Sequence, residues 1–151
     1  MKKKDVWLGE FEIGDYYISD TYEVTEKEII EFSEKYDPQY FHTDPEKAKD
    51  SFFGRLASSG WMTAGITMKL QVETSPFAFD LVGLGVEIKW PLPTLPGDLL
   101  KIRTEVTDIK ISESKPNQGI ISIETITTNQ DDEVKMVLQN KILGFKRPAD
   151  R

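Results

Sequence analysis

Apolar and polar positions alternate with period two along four stretches in the second half of the chain: Leu81 to Trp90, Leu99 to Ile111, Ile120 to Thr128 and Val134 to Phe145. Successive side chains of a strand point to opposite faces, so each stretch predicts a strand with one face turned to a core. In the second, Ile102, Thr104 and Val106 share one face and Arg103, Glu105 and Thr107 the other. Asn129-Gln130-Asp131-Asp132 supplies a turn between the last two, so the second half reads as an antiparallel meander. Between the first two, Pro91-Leu92-Pro93-Thr94-Leu95-Pro96-Gly97-Asp98 is a stiff connection, because three prolines and a glycine forbid regular pairing.

The first half carries helical signals. A turn at Phe11 to Asp15 leads to a short strand near Ile18 to Val24. Thr25 followed three residues later by Glu28 is a capping box, and Ile29, Ile30 and Phe32 supply an apolar stripe. This predicts a helix from Glu26 to about Tyr36, ending before Pro38, because the residue ahead of a proline is pushed out of the α region. Asp44-Pro45 predicts a second, short helix to about Lys49, with the dimensions of a lid or overhang.

From Ala57 to Met68 no side chain is charged. The run is too short and too rich in small polar residues to span a bilayer, and it reads as a buried helix capped by Ser58 or Ser59 and continuing to about Glu73. A helix without a charged face needs cover on all sides, which places Trp61, Met62, Ile66 and Met68 in the core. The sum is an α+β arrangement in a single domain over residues 1–151: a five-stranded antiparallel sheet wrapped around a central helix.

Composition narrows the function. Lys and Arg number 19 against 26 Asp and Glu, a formal net charge of -7 that repels phosphate backbones and acidic membrane surfaces alike. Nucleic acid and membrane are therefore not expected partners. The chain has no cysteine, so disulfides, thiolate nucleophiles and Cys-ligated zinc are excluded. Lys2-Lys3-Lys4 resembles the start of a signal peptide, but Asp5, Glu10 and Glu12 interrupt it before an apolar core develops, and a cytoplasmic location is expected.

The only histidine, His42, lies just ahead of the chargeless helix, with Asp37 five positions earlier. Each candidate has a structural alternative. His42 can be a hydrogen-bonded structural residue, Asp37 a helix stop, Gly60 a packing glycine and Ser58-Ser59 only a cap. The conjunction is what points to chemistry.

Asp37 to His42, Ser59-Gly60-Trp61 and the Trp90-Pro91 to Gly97-Asp98 connection together resemble the MaoC-like dehydratases, relatives of the (R)-specific enoyl-CoA hydratases, over roughly Phe11 to Arg147. The family pattern is Asp, any residue, Asn, Pro, any residue, His. Asp37 and His42 keep its spacing, while Gln39 and Tyr40 replace the Asn and Pro. The eighteen residues from His42 to Gly60 also match the family, and Met68 stands where hydratases place a serine that orients the aspartate. The resemblance implies a hot-dog fold, a homodimer or an assembly of dimers with one continuous sheet, acyl-CoA as substrate and no cofactor.

The implied reaction is reversible hydration of a trans-2-enoyl-CoA to a (3R)-3-hydroxyacyl-CoA. It needs a base for water, a proton for the α-carbon and stabilisation of the enolate oxygen. Asp37 and His42 suit the proton transfers as the catalytic pair. Gly60, at the first turn of a helix, offers an unpaired N–H to the thioester oxygen, with Ser59 beside it in the substrate-binding set. A CoA phosphate needs a cation, for which Lys2 to Lys4 or Lys146-Arg147 are candidates. Two alternatives stand beside this. A hot-dog thioesterase commonly places a carboxylate on the central helix, and none lies between Gly60 and Met68. A non-catalytic acyl-CoA-binding or assembly subunit would accommodate the departures at Gln39, Tyr40 and Met68.

Overall fold

The computed structural model describes residues 4–151. Its elements in chain order are strands β1 (Tyr16–Ile18) and β2 (Tyr22–Glu23), helices α1 (Glu26–Tyr36), α2 (Tyr40–Thr43) and α3 (Gly60–Thr74), and strands β3 (Val82–Lys89), β4 (Leu99–Ile111), β5 (Gln118–Thr128) and β6 (Val134–Phe145). The sheet runs β1-β4-β5-β6-β3 with β2 also on β4, and every pairing between these strands is antiparallel. β3, which precedes β4 in sequence, returns to the far edge beside β6, and among the described residues no strand pairs with its outer edge.

The four long strands stand where alternation places them. The expected single strand at Ile18 to Val24 is instead two short ones, which makes six strands rather than five. Ser19 causes the break: its hydroxyl accepts the Ile102 N–H at 2.9 Å and donates to Asp20 O at 2.7 Å, a local hydrogen-bonding alternative to the regular ladder.

Helix α1 begins at the expected N-cap, with Thr25 Oγ1 accepting the Glu28 N–H at 3.2 Å, but the Glu28 carboxylate accepts the Tyr22 hydroxyl where a full capping box would have it take the Thr25 N–H; Asp37 is the C-cap. Asp44 does cap, accepting the N–H groups of Glu46 and Lys47, but the chain then makes one 3-10 turn, Lys47–Asp50, in place of the expected short α-helix.

Helix α3 lies against the inner face of the sheet. Met62, Ile66 and Leu70 pack with Leu100 and Ile102, and with Val24 and Ile29 from the segment ahead. Each fully buried aliphatic side chain of this kind contributes about 1.5–3 kcal/mol. Beside them runs a polar seam. Thr63 donates to Thr94 at 2.9 Å, Thr67 pairs with Thr127 at 2.7 Å, and Gln71 donates to Thr125 at 2.6 Å, itself paired with Thr104.

The helix is not covered on all sides. Trp61, Met68 and Val72 are 61%, 43% and 42% exposed, so two of the four residues expected in the core, Trp61 and Met68, face outward and only Met62 and Ile66 are buried. The cause is the seam: with Thr63, Thr67 and Gln71 turned inward, apolar residues are left for the outer face. Among the described residues no helix is long and apolar enough to cross a membrane.

Candidate active site

The chain leaves α1 at Asp37, held in a non-helical conformation ahead of Pro38, and re-enters one helical turn at Tyr40. That turn carries His42 back beneath Asp37, with Nε2 3.3 Å from Asp37 Oδ2. His42 is 5% exposed and its Nδ1 lies 2.6 Å from the carbonyl of Ala57. A carbonyl only accepts, so Nδ1 carries the hydrogen, and the Nε2 of a neutral ring presents its lone pair to Asp37. The Ala57 N–H in turn bonds to Phe41 O at 3.1 Å, which ties α2 to the segment leading into α3. The Phe41 ring stands edge-on to the imidazole at 4.5 Å between centroids.

Asp37 has two further neighbours. Gln39 Nε2 donates to Oδ1 at 2.8 Å, and the hydroxyl of Ser59 lies near the same carboxylate and favours its ionised form. Burial opposes ionisation of this carboxyl, but the Gln39 bond, the nearby Ser59 hydroxyl and the positive charge of His42 when its ring is protonated together outweigh it and hold its pKa below the usual aspartate value. A depressed folded pKa contributes stability that is complete above the unfolded value of about 3.9 and is lost as pH falls through the lower folded value. The melting temperature of the wild type is therefore expected to exceed that of Asp37→Asn by a margin that shrinks below about pH 4. A margin that stays constant or grows on acidification would show that the carboxylate is not stabilised in this way.

Ser59 is fully buried and is the N-cap of α3, its Oγ accepting the Trp61 N–H at 3.3 Å. It stands behind Asp37 and not in the wall of the adjoining cavity, where Ser58 and Gly60 appear. Its position is that of a neighbour of Asp37. Met68, where the hydratases place a serine, is exposed and outside the cavity lining, while the Ser59 hydroxyl, one position before the helix, lies near Asp37.

Gly60 opens α3, so its N–H has no intrahelical acceptor. It is also a packing glycine. The indole of Trp90 lies over it so closely that a Cβ would come within 2.6 Å of the ring, and Trp90 Nε1 donates to Gly60 O at 3.1 Å. Trp61 meets Trp90 edge-on at 5.4 Å between centroids.

These groups border one cavity of about 400 Å³. Asp37, His42 and Gly60 meet there, joined by aromatic side chains from the Phe52-Phe53 turn and by the Trp90 to Thr94 segment. Sequence reasoning assigns those two segments no contact with the site. Among the described residues Asp37 is the single carboxylate of the lining, and no lysine or arginine is part of it. Arg147 is bonded to both carboxylate oxygens of Glu10 and to Asp5 O. Lys4 Nζ bonds to Val72 O, and Lys2 and Lys3 lie outside the described residues.

A curved antiparallel sheet in this strand order, with one long helix against its inner face, is a hot-dog fold. The chain belongs to the MaoC-like domain family, which matches residues 11–129. It is 41% identical to the MaoC-like dehydratase of Rhodospirillum rubrum, whose crystal structure superposes with a TM-score of 0.93 over 95% of this chain and 99% of that one. It is 34% identical over 133 residues to the uncharacterized protein YdeM of Bacillus subtilis (strain 168), covering 85% of this chain and 91% of that one. The (R)-hydratase PhaJ1 of Pseudomonas aeruginosa, 20% identical, shares the fold with a TM-score of 0.75 over 92% of this chain and 85% of its own.

Proposed function

We propose that this protein is an acyl-CoA hydro-lyase that reversibly hydrates a trans-2-enoyl-CoA to a (3R)-3-hydroxyacyl-CoA. The supporting observation is the pairing of His42 Nε2 with Asp37 Oδ2 at 3.3 Å at the edge of an otherwise uncharged cavity. With Nδ1–H committed to Ala57 O, the neutral ring and the carboxylate both present acceptors. A water on the cavity side of the pair, within reach of both acceptors, donates one hydrogen to each and keeps an oxygen lone pair for the β-carbon of the substrate. As the carbon–oxygen bond forms, the pair takes one proton from the water and returns one to the α-carbon, while the thioester oxygen, gaining charge, bonds to the Gly60 N–H. Dehydration runs the same steps in reverse.

Gln39 favours this reading over that of a non-catalytic subunit. Although it departs from the family's Asn, it holds Oδ1 at 2.8 Å and leaves Oδ2 for the water. The reading includes one domain over residues 1–151, a cytoplasmic location, no cofactor and a homodimer. Val82, Leu84 and Val86 are 46%, 51% and 64% exposed on the edge strand β3, and pairing two such strands would cover them. A second copy at that edge would also approach the outer face of α3, where Trp61 lines the cavity. The test is loss of enoyl absorbance from crotonyl-CoA, combined with light scattering across a dilution series. Turnover that falls as dimers dissociate is expected. No turnover of any enoyl-CoA would remove the hydratase reading, and a fully active monomer would remove the shared site.

A further inference from the structure

We infer that Thr94, presented by Thr63 at the floor of the cavity, selects acyl groups that carry an oxygen acceptor beyond the β-carbon. The inference rests on the acyl-thioester reading above and adds the class of acyl chain.

Thr63 and Thr94 are 1% and 2% exposed, yet both border the cavity. The bond between them has a direction: Thr63 Oγ1 donates to Thr94 Oγ1 at 2.9 Å. Thr94 therefore accepts with its oxygen and still has a hydrogen to place. Its remaining bond is through the backbone, the Ser58 N–H to Thr94 O at 2.8 Å, and no side-chain or main-chain acceptor among the described residues receives the hydroxyl hydrogen. The neighbouring hydroxyl, Ser58, donates to Ser59 O at 3.1 Å and is already committed. A buried donor without an acceptor is unfavourable, so this position is satisfied best by an oxygen that enters the cavity.

Location identifies which part of the ligand that oxygen belongs to. Thr63 lies three residues beyond Gly60 on α3, a rise of about 4.5 Å, on the buried side of the helix. With the thioester oxygen on the Gly60 N–H, the large CoA moiety must leave toward solvent, and the buried part of the lining, to which Thr63 and Thr94 belong, is left for the acyl tail. Aromatic and aliphatic groups such as Phe53 and Leu92 form much of the remaining wall, so the hydroxyl is a polar mark on an apolar surface.

The mark is also rigidly placed, which is what converts a hydroxyl into a specificity element. Prolines flank Thr94 at 93 and 96, and Pro93 O accepts from the buried Lys135 Nζ at 3.0 Å. Neither the backbone nor Thr63 needs to move for the hydrogen to meet a ligand.

The experiment measures binding by calorimetry, with two matched pairs of saturated probes that cannot be hydrated: pentanoyl-CoA with 4-oxopentanoyl-CoA, and hexanoyl-CoA with 5-oxohexanoyl-CoA. Wild-type protein is expected to bind at least one oxo probe about fivefold more tightly than its alkyl partner, the size of one net hydrogen bond. Thr94→Val should remove that preference and Thr94→Ser should restore it. Equal affinities within both pairs for the wild type would overturn the inference, as would a Thr94→Val variant that weakens oxo and alkyl probes alike. Because no probe turns over, the preference can hold while crotonyl-CoA hydration fails, which would refute the hydratase reading alone. Absence of binding by all four probes would overturn both.

Discussion

Replacing His42 with alanine is expected to lower the rate of enoyl-CoA hydration on the order of 10²-fold or more, and Asp37→Asn should do the same. The chain has no second histidine to substitute. The two variants fail for different reasons. Asp37→Asn keeps the shape of the side chain but gives up the carboxylate charge, so the water loses an anionic acceptor on one side. His42→Ala removes Nε2 and also the Nδ1–H bond to Ala57 O, leaving a buried carbonyl at a cost of about 1–3 kcal/mol. Circular dichroism and a melting curve therefore accompany the assay, and the activity comparison is made at a temperature where both variants are folded. A folded His42→Ala protein that hydrates crotonyl-CoA at the wild-type rate would show the mechanism to be wrong.

The parts of the fold legible in the sequence are those where one physical rule acts alone. Period-two alternation in β4, β5 and β6 reflects a sheet with one face on the core, and Thr25 with Glu28 reports the start of α1 without reference to anything distant. Asp37 and His42 are legible because their meeting is local: a helix exit, a proline and a single turn suffice to bring Nε2 to Oδ2. Helix α3 is the opposite case. Its inner face carries Thr63, Thr67 and Gln71 while Trp61, Met68 and Val72 lie outside, so polarity along the sequence cannot say which side is the core. That assignment depends on Thr94, Thr127 and Thr125, hydroxyl partners brought up from 31, 60 and 54 residues away. The approach of Ser59 to Asp37 is hidden likewise, since its capping signal is visible and its nearness to the carboxylate is tertiary. The one-turn helix α2 is too short to show any period.

Lys135→Met is expected to destabilise the protein by about 3 kcal/mol, toward the lower end of what breaking a buried ion pair costs. Lys135 Nζ lies 3.4 Å from Asp98 Oδ2, with the two side chains 2% and 8% exposed. Asp98 keeps bonds from Asn129 Nδ2 at 3.1 Å and from the Leu95 N–H at 2.8 Å, so its charge is not left wholly unsolvated. Adding Asp98→Asn removes the unpaired charge but turns an NH2 toward either Asn129 Nδ2 or the Leu95 N–H, both of which donate to the carboxylate, so it should recover only part of the loss, which the double-mutant cycle measures. The effect reaches the cavity through the same ammonium group, which also holds Pro93 O at 3.0 Å and thereby the wall that carries Thr94. Affinity for acyl-CoA should consequently fall in Lys135→Met and stay low in the double variant, even as stability partly returns, because neither replacement restores the donor to Pro93. Urea unfolding and calorimetric binding measured on the same preparations separate the two effects. Wild-type stability in Lys135→Met would mean that the buried pair contributes nothing net, and recovery of affinity together with stability in the double variant would mean that the Pro93 bond does not shape the cavity.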